Sequence, residues 1–477
     1  MISKAKRFKL SLPARATVFY TLTGAIERGV GFIFTPIYTR ILSPEEFGLY
    51  PLYVSWMGIA TVIITLELSG NTVYRGLARA KGLESEYVSA TMGLLLTSAG
   101  VSCGLILAFR GEISALTGLS APLLAILLLQ IVTNGITALY FAKCRYEYKY
   151  KTASIINLAN ALLTPSLALI IIRLTPLRSE GRIIAPLVVG LAVSIPIAIN
   201  TFAEGRCFFA RDIWKKHLFT VIPLLPHFLA SSITVQSGKL AIGRFFGEDA
   251  LARYSLIFSF GFIFTVVTVG INSGFTPWIN RKLSHGGEEK VGRLTEELFY
   301  FFSILAVMAI AFVPEGLSIL APREYLDALP AIYPLTISVI ISFLSNVLYS
   351  VTVFYEKGHL VTLGSVITAT VTVLLHLFLT RRFGYIGAAL VATVGGGLNL
   401  LFYAVILGGV LKKRFFRFKK LFTPLFFAAS FSTLLYFFRS SILSRLALFL
   451  ALFVLLVPRA VISYRLVKEN NEQIGVE

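Results

Sequence analysis

Charge is what this chain has least of. Of its 477 residues only 14% are charged, and just three are aspartate: Asp212, Asp249 and Asp327. No Asp-x-Asp pair exists. Soluble domains carry about 25% charged residues, so a chain that is 56% hydrophobic with a mean hydropathy of +0.78 falls outside that class. Cysteine is equally sparse. Cys103, Cys144 and Cys207 are too few and too scattered for a disulfide framework. No HExxH, CxxC, GxxxxGK[ST] or GxSxG pattern occurs. The sequence therefore offers no metalloprotease, dithiol, ATPase or serine-hydrolase chemistry, no metal site and no cofactor.

What is present is a succession of apolar runs, each of about 20 residues and so long enough to cross a bilayer core of about 30 Å. Fourteen such runs are read between residue 16 and residue 464. Each must be helical, because lipid offers no partner to a free backbone group. The expected fold class is an all-α polytopic membrane protein of about 14 transmembrane helices. The formal charge of +20 would point to nucleic acid in a soluble protein. Here Lys and Arg collect in alternate loops, among them Arg75, Arg79 and Lys81; Lys143, Arg145 and Lys149; Arg206, Arg211, Lys215 and Lys216; and Lys412, Lys413 and Arg414. By the positive-inside rule those loops and both termini are cytoplasmic and the protein lies in the cytoplasmic (plasma or inner) membrane; no nucleic-acid partner is expected. The basic start MISKAKRFKL looks like a signal peptide. The apolar segment after it is too long, contains Glu27-Arg28 and lacks a small-x-small cleavage site, so it is read as a retained first span.

The organisation shows in one recurring corner. Arg40–Ser55 aligns without a gap with Arg244–Ser259: Arg40 with Arg244, Glu45 with Asp249, Tyr50 with Tyr254, Leu52 with Leu256, Ser55 with Ser259. Each segment leaves one span and starts the next. Locally the first reads as a helix start, with Ser43 as N-cap, Pro44 at N1 and Glu46 as capping-box partner. Its recurrence at spans 1–2 and 7–8 implies a duplicated six-span unit. Six is even, so the halves share an orientation, as in parallel-repeat transporters. The expected organisation is an N-terminal lobe at 1–205 (spans 1–6) and a C-terminal lobe at 206–410 (spans 7–12). Residues 411–477 add spans 13–14 and a cytoplasmic tail. The linker LKKRFFRFKK before that last pair suits an anionic lipid surface.

Three stretches carry a family resemblance. FTPIYTRILSPEEFGLY resembles the first hairpin of polysaccharide-exporting flippases; VIPLLPHFLASSITVQSGKLAIGRFFGEDALARYSLIFSF resembles their seventh and eighth spans; RRFGYIGAALVATV, at 381–394, resembles the start of their twelfth. These are O-antigen flippase-like members of the multidrug/oligosaccharidyl-lipid/polysaccharide exporter superfamily. The resemblance covers nearly all of residues 10–410. It implies two six-helix bundles around a central cavity that opens to alternate faces, and a substrate of sugars carried on a polyprenyl pyrophosphate lipid. In the family, the stretch matching QSGKLAIG usually has an acidic residue followed by a basic one. Here the pair is Gly238-Lys239, so the cation is kept and the carboxylate is not.

Charges inside spans are the candidate substrate-binding residues, since each costs about 2.5–3.5 kcal/mol at a span centre on insertion scales. Arg28 is read as a phosphate contact and Glu27 as its holder or a proton acceptor; the plain alternative is a structural pair locking two helices. Lys239 either lines the cavity or snorkels to the outer interface. Arg253 is a second outer cation or an exposed interface charge. His227 has a proton-linked or sugar-contacting role, or makes a helix–helix hydrogen bond. Glu67 and Asn71 form an inner mouth, or simply cap a helix end.

The expected function is an alternating-access flippase moving a lipid-linked oligosaccharide outward for O-antigen, capsule or another envelope polymer. Membrane lipids and a coupling proton or sodium ion are its other partners. An integral-membrane glycosyltransferase is disfavoured, because the outer loops are too short and Glu46 has a capping explanation. A cation-coupled drug antiporter of the same superfamily is disfavoured by mid-span charges that include two cations and few acids.

Overall fold

The computed structural model of this chain describes residues 12–355, 358–412 and 418–472. Among the described residues there is no strand. The helices are α1 (Leu12–Ile41), α2 (Pro44–Thr65), α3 (Asn71–Arg79), α4 (Glu84–Ala108), α5 (Arg110–Thr117), α6 (Ala121–Tyr146), α7 (Tyr150–Leu174), α8 (Gly181–Gly205) and α9 (Arg211–Val221). They continue as α10 (Leu225–Ser284), α11 (Glu288–Ile310), α12 (Val313–Leu320), α13 (Ile332–Phe354), α14 (Gly358–Leu375), α15 (Arg381–Val405), α16 (Phe418–Phe437) and α17 (Ile442–Glu472).

Ten of the described helical stretches are long and apolar enough to cross a bilayer, and the bent pair α11–α12 makes an eleventh. Two of the ten are double. α10 breaks at Gly247, whose φ of +84° and ψ of 178° are non-helical, and the α14–α15 stretch breaks at Gly384, at φ +55°. Residues with a β-carbon rarely adopt such angles. With the 30-residue α1 and each double stretch counted as two, the long helical segments number fourteen among the described residues, and the protein is an all-α polytopic membrane protein as the apolar runs require.

The chain divides into two compact units. Unit 1 holds Met1–Leu42 and Trp56–Phe228; unit 2 holds Ser43–Ser55 and Leu229–Glu477.

In unit 1, α1 lies along α7, and the Tyr38 hydroxyl donates to the Pro165 carbonyl at 2.8 Å. The Arg182 guanidinium of α8 covers the same Tyr38 ring, 4.8 Å from its centroid. One end of the unit gathers the basic loops around a packed core that includes Leu68, Val73, Leu77, Met92, Leu95 and Leu139. Three contacts pin it. The buried Lys143 ammonium donates to Glu204 at 2.8 Å, the Ser89 hydroxyl donates to the Cys207 carbonyl at 2.6 Å, and Trp214 donates to the Ala90 carbonyl at 2.8 Å. The stretch near 204–217, expected as a loop, contains the amphipathic helix α9. Pro223 sits in a 3-10 turn at Ile222–Leu224 and Pro226 in the first turn of α10. There the missing N–H costs nothing, so these two prolines punctuate helices rather than kink them.

In unit 2 the opening corner folds as its residues dictate. The Ser43 amide donates to the Glu46 carboxylate at 2.8 Å and the Glu46 amide donates back to the Ser43 hydroxyl at 3.2 Å. This reciprocal capping contributes about 1 kcal/mol at a helix start. The corner packs on its own repeat: Gly48 meets the backbone of Glu248, and Leu52 approaches Gly243. α13 is central, with Phe343 stacked between Phe299 and Phe302 of α11 at centroid distances of 6.4 Å and 4.7 Å.

The last two helices are tied to α11–α12 by ion pairs. Arg445 grips Glu315 with both nitrogens of its fork, Arg459 pairs with Glu297 at 2.9 Å, and Lys420 lies 3.6 Å from Glu296. Residues 413–417 of the aromatic-basic linker and the basic start at 1–11 lie outside the described residues.

Candidate functional site

α1 has three faces, because successive residues turn by about 100°. Thr23, Val30 and Tyr38 are buried. Phe19, Leu22, Ile26, Ile33 and Ile37 are exposed and apolar. Gly24, Arg28, Gly31 and Thr35 form a third stripe at helical spacing, roughly opposite the Leu22–Ile33 stripe. Arg28 is exposed, and no atom lies within 4 Å of where a β-carbon would stand at Gly24 or Gly31. Glu27 is also exposed and sits at the border between this stripe and the buried face. The stripe that carries Arg28 is thus an exposed face of α1 with small neighbours on either side.

Glu67 lies beyond the end of α2, which stops at Thr65. Leu66 and Glu67 both have φ of +50°, a left-handed conformation that costs a residue with a β-carbon about 1–3 kcal/mol. The turn is closed by bonds from the Leu68 amide to the Thr65 carbonyl and from the Gly70 amide to the Glu67 carbonyl, both 3.0 Å. Burial pushes the Glu67 carboxyl above the usual carboxylate range. Asn71 begins α3, and its side chain lies outside the described residues. His227 stands in the first turn of α10, half-buried, its ring 5.4 Å from that of Phe228.

The unit 2 candidates separate into two settings. The Lys239 ammonium sits over the Phe258 ring, 4.4 Å from its centroid. Such a contact is worth about 0.5–2 kcal/mol to a cation. Among the described residues no carboxylate lies within ion-pair distance of it. Gly238 beside it is buried, and a β-carbon there would stand 3.3 Å from the Tyr254 hydroxyl and 3.6 Å from the His376 ring. Those two side chains bound the space beside Gly238. Arg253 is differently placed. One guanidinium nitrogen meets Asp327 at 2.7 Å and the other meets Asp249 at 2.9 Å. Carboxylates engage both arms of its fork.

Two further residues, outside the charged candidates, are brought to Gly238 by the fold. His376 is buried in a π-helical turn at His376–Thr380 and its Nδ1 lies 2.7 Å from the Thr380 hydroxyl. Tyr254 is fully buried and stacks on Tyr385 at 6.5 Å and 7°. In sequence His376 has no charged neighbour. It is brought to Gly238 only by folding, and no local pattern carries that contact. The alignment of Tyr254 with Tyr50 was the one available hint.

Residues 14–283, more than half of the chain, match the family described as polysaccharide biosynthesis protein. A 117-residue stretch is 28% identical to the probable multidrug resistance protein YoeA of Bacillus subtilis (strain 168). It covers 24% of this chain and 25% of that relative, so the match spans a quarter of its length. Among solved structures, the lipid II flippase MurJ in an inward closed conformation superposes with a TM-score of 0.68 at 12% identity, covering 94% of this chain and 99% of that one. An inward-facing multidrug resistance MATE family transporter of the MOP superfamily gives a TM-score of 0.64 at 15% identity, covering 81% and 96%. At these identities the likeness is one of fold, and the fold is that of the MOP transporters. Together with the match over residues 14–283, it places the chain: the protein belongs to the polysaccharide biosynthesis protein family.

Proposed function

We propose that this protein is an alternating-access flippase that carries a polyprenyl-pyrophosphate-linked oligosaccharide from the cytoplasmic to the outer leaflet for cell-surface polysaccharide assembly. One observation carries the reading. Arg28 projects from a glycine and threonine stripe of α1, on the side opposite its large apolar residues. A guanidinium on an exposed face suits a phosphate, which it binds through two parallel hydrogen bonds. Lys239, resting on Phe258 without a carboxylate partner among the described residues, is the second cation offered to the pyrophosphate. Two cations at span depth favour an anionic cargo over a cationic drug.

In this reading the lobes at 1–205 and 206–410 rock against each other, and the pair in 411–477 travels with the second lobe. Both termini lie on the cytoplasmic side, the protein resides in the cytoplasmic membrane, and a proton or sodium ion drives the cycle. The protein performs no covalent chemistry on the sugar. In cells lacking the protein, lipid-linked sugar should accumulate on the cytoplasmic leaflet. Arg28→Ala should restore at most about a tenth of export at normal protein level, the loss of one charged contact of about 1.4 kcal/mol or more, and Arg28→Lys an intermediate fraction. Full export by Arg28→Ala would remove the basis of the reading. Resistance to cationic drugs that tracks expression, with no sugar phenotype, would establish the antiporter instead.

A further inference from the structure

A pocket of about 530 Å³ opens on unit 1 along α9, among the basic loops. Its walls include Phe209, Trp214, Phe219 and Ile222, and Arg211 and Lys215 line it with them. The volume falls within the roughly 300–1,000 Å³ typical of small-ligand sites.

The helix is fixed in the orientation that keeps this pocket outward. Trp214 donates to the Ala90 carbonyl. On the buried face His217 Nε2 lies 2.6 Å from the Tyr87 hydroxyl and 3.2 Å from the Thr91 hydroxyl. The outward face therefore cannot rotate into the core, and it leaves Phe219 80% and Phe209 62% exposed. Arg211, Lys215 and Lys216 are exposed on the same helix. Among the described residues no carboxylate pairs with any of the three, Asp212 of the same turn included. Large exposed aromatics beside unpaired cations, on a short amphipathic helix leading straight into a span, match the chemistry of the headgroup–acyl boundary.

We infer that this pocket binds an anionic phospholipid of the surrounding leaflet, its acyl chain against Phe209, Phe219 and Ile222 and its phosphate on Arg211 and Lys215. The charge complementarity selects this occupant. A zwitterionic lipid would satisfy the apolar wall and offer its phosphate, but its own ammonium offsets that charge, so the two cations favour a headgroup of net negative charge. Neither Arg28 nor Lys239 lines it, and the assignment does not depend on what the protein transports.

Trp214 reports on the pocket directly. The full-length protein carrying Trp56→Phe and Trp278→Phe, reconstituted in nanodiscs, would be titrated with brominated phosphatidylglycerol and brominated phosphatidylcholine. Quenching of Trp214 by the anionic lipid should require about tenfold less lipid. Arg211→Gln with Lys215→Gln, both at exposed positions, should abolish that preference without moving the melting temperature. High salt should abolish it in the unsubstituted pocket, which keeps the test independent of how the double variant folds. Equal quenching by both lipids, or a preference indifferent to salt, would overturn the assignment. So would displacement of the brominated lipid by equimolar polyprenyl phosphate, which would give the pocket to the carrier lipid.

Discussion

The carbonyl oxygen of Glu248 occupies the place where a β-carbon on residue 48 would stand. Gly48 lies in the first of the two repeated corners and Glu248 in the second, so the repeats are packed backbone to backbone in unit 2. Any side chain at 48 must push the second corner away. Gly48→Val should destabilise the solubilised protein by about 1–3 kcal/mol, the usual penalty for overpacking, read as a lower melting temperature. An unchanged melting temperature would show that the corners are not in close contact.

Gly238 makes the same kind of prediction with a functional edge. Gly238→Asp drives a carboxylate toward Tyr254 and His376. The variant should fold poorly, and adding Tyr254→Phe should recover part of the folded yield by removing the nearest oxygen. Lys239→Gln tests the neighbouring cation. It should leave the melting temperature near that of the parent while reducing flipping in reconstituted vesicles several-fold. A Lys239→Gln protein with parental flipping would exclude the ammonium from the transport path.

The ion pair between Arg445 and Glu315 ties α17 to α12. Arg445 is 6% exposed and also donates to the Ala311 carbonyl. Removing one partner strands a buried charge, so Glu315→Ala should cost about 3–5 kcal/mol. Replacing both by apolar residues of similar volume, Arg445→Met with Glu315→Leu, should be nearly neutral. Thermal unfolding of the three variants gives the comparison. Equal losses in the single and double variants would contradict the argument.

Glu67 predicts a pH dependence. Its carboxyl is held above the ordinary range by burial, so the folded state binds a proton that the unfolded state has already released. Stability contributed by this group is complete below the unfolded value and is lost as pH rises through the folded one. Glu67→Gln should therefore be more stable than the parent at neutral pH and lose that advantage as pH falls below the ordinary carboxylate value. Denaturation midpoints at several pH values decide it.

Much of this was legible in advance, for reasons that are local. A run of apolar residues in lipid has one solution for its backbone, so Pro44–Thr65 or Ala121–Tyr146 could be read as spans from composition alone. The capping box at Ser43–Glu46 is a three-residue rule, and both of its hydrogen bonds are present. Helix ends were less legible. α2 stops early because Leu66 and Glu67 adopt left-handed angles that neither residue announces, and α9 was taken as loop because an eleven-residue amphipathic helix does not stand out in hydropathy.

The candidate charges divide in the same way. The sequence by itself determined that Arg28, Glu27 and Lys239 sit where charge is expensive, since position along an apolar helix follows from counting. Only the tertiary structure decided what surrounds them. It put Phe258 under Lys239, filled the place beside Gly238 with Tyr254 and His376, and gave Arg253 to Asp249 and Asp327. Asp249 lies one turn from Arg253 and is a local pair, but His376 and Asp327 come from segments 138 and 74 residues away from Gly238 and Arg253, and a pairing set by packing between distant segments leaves no trace in the order of residues along either of them.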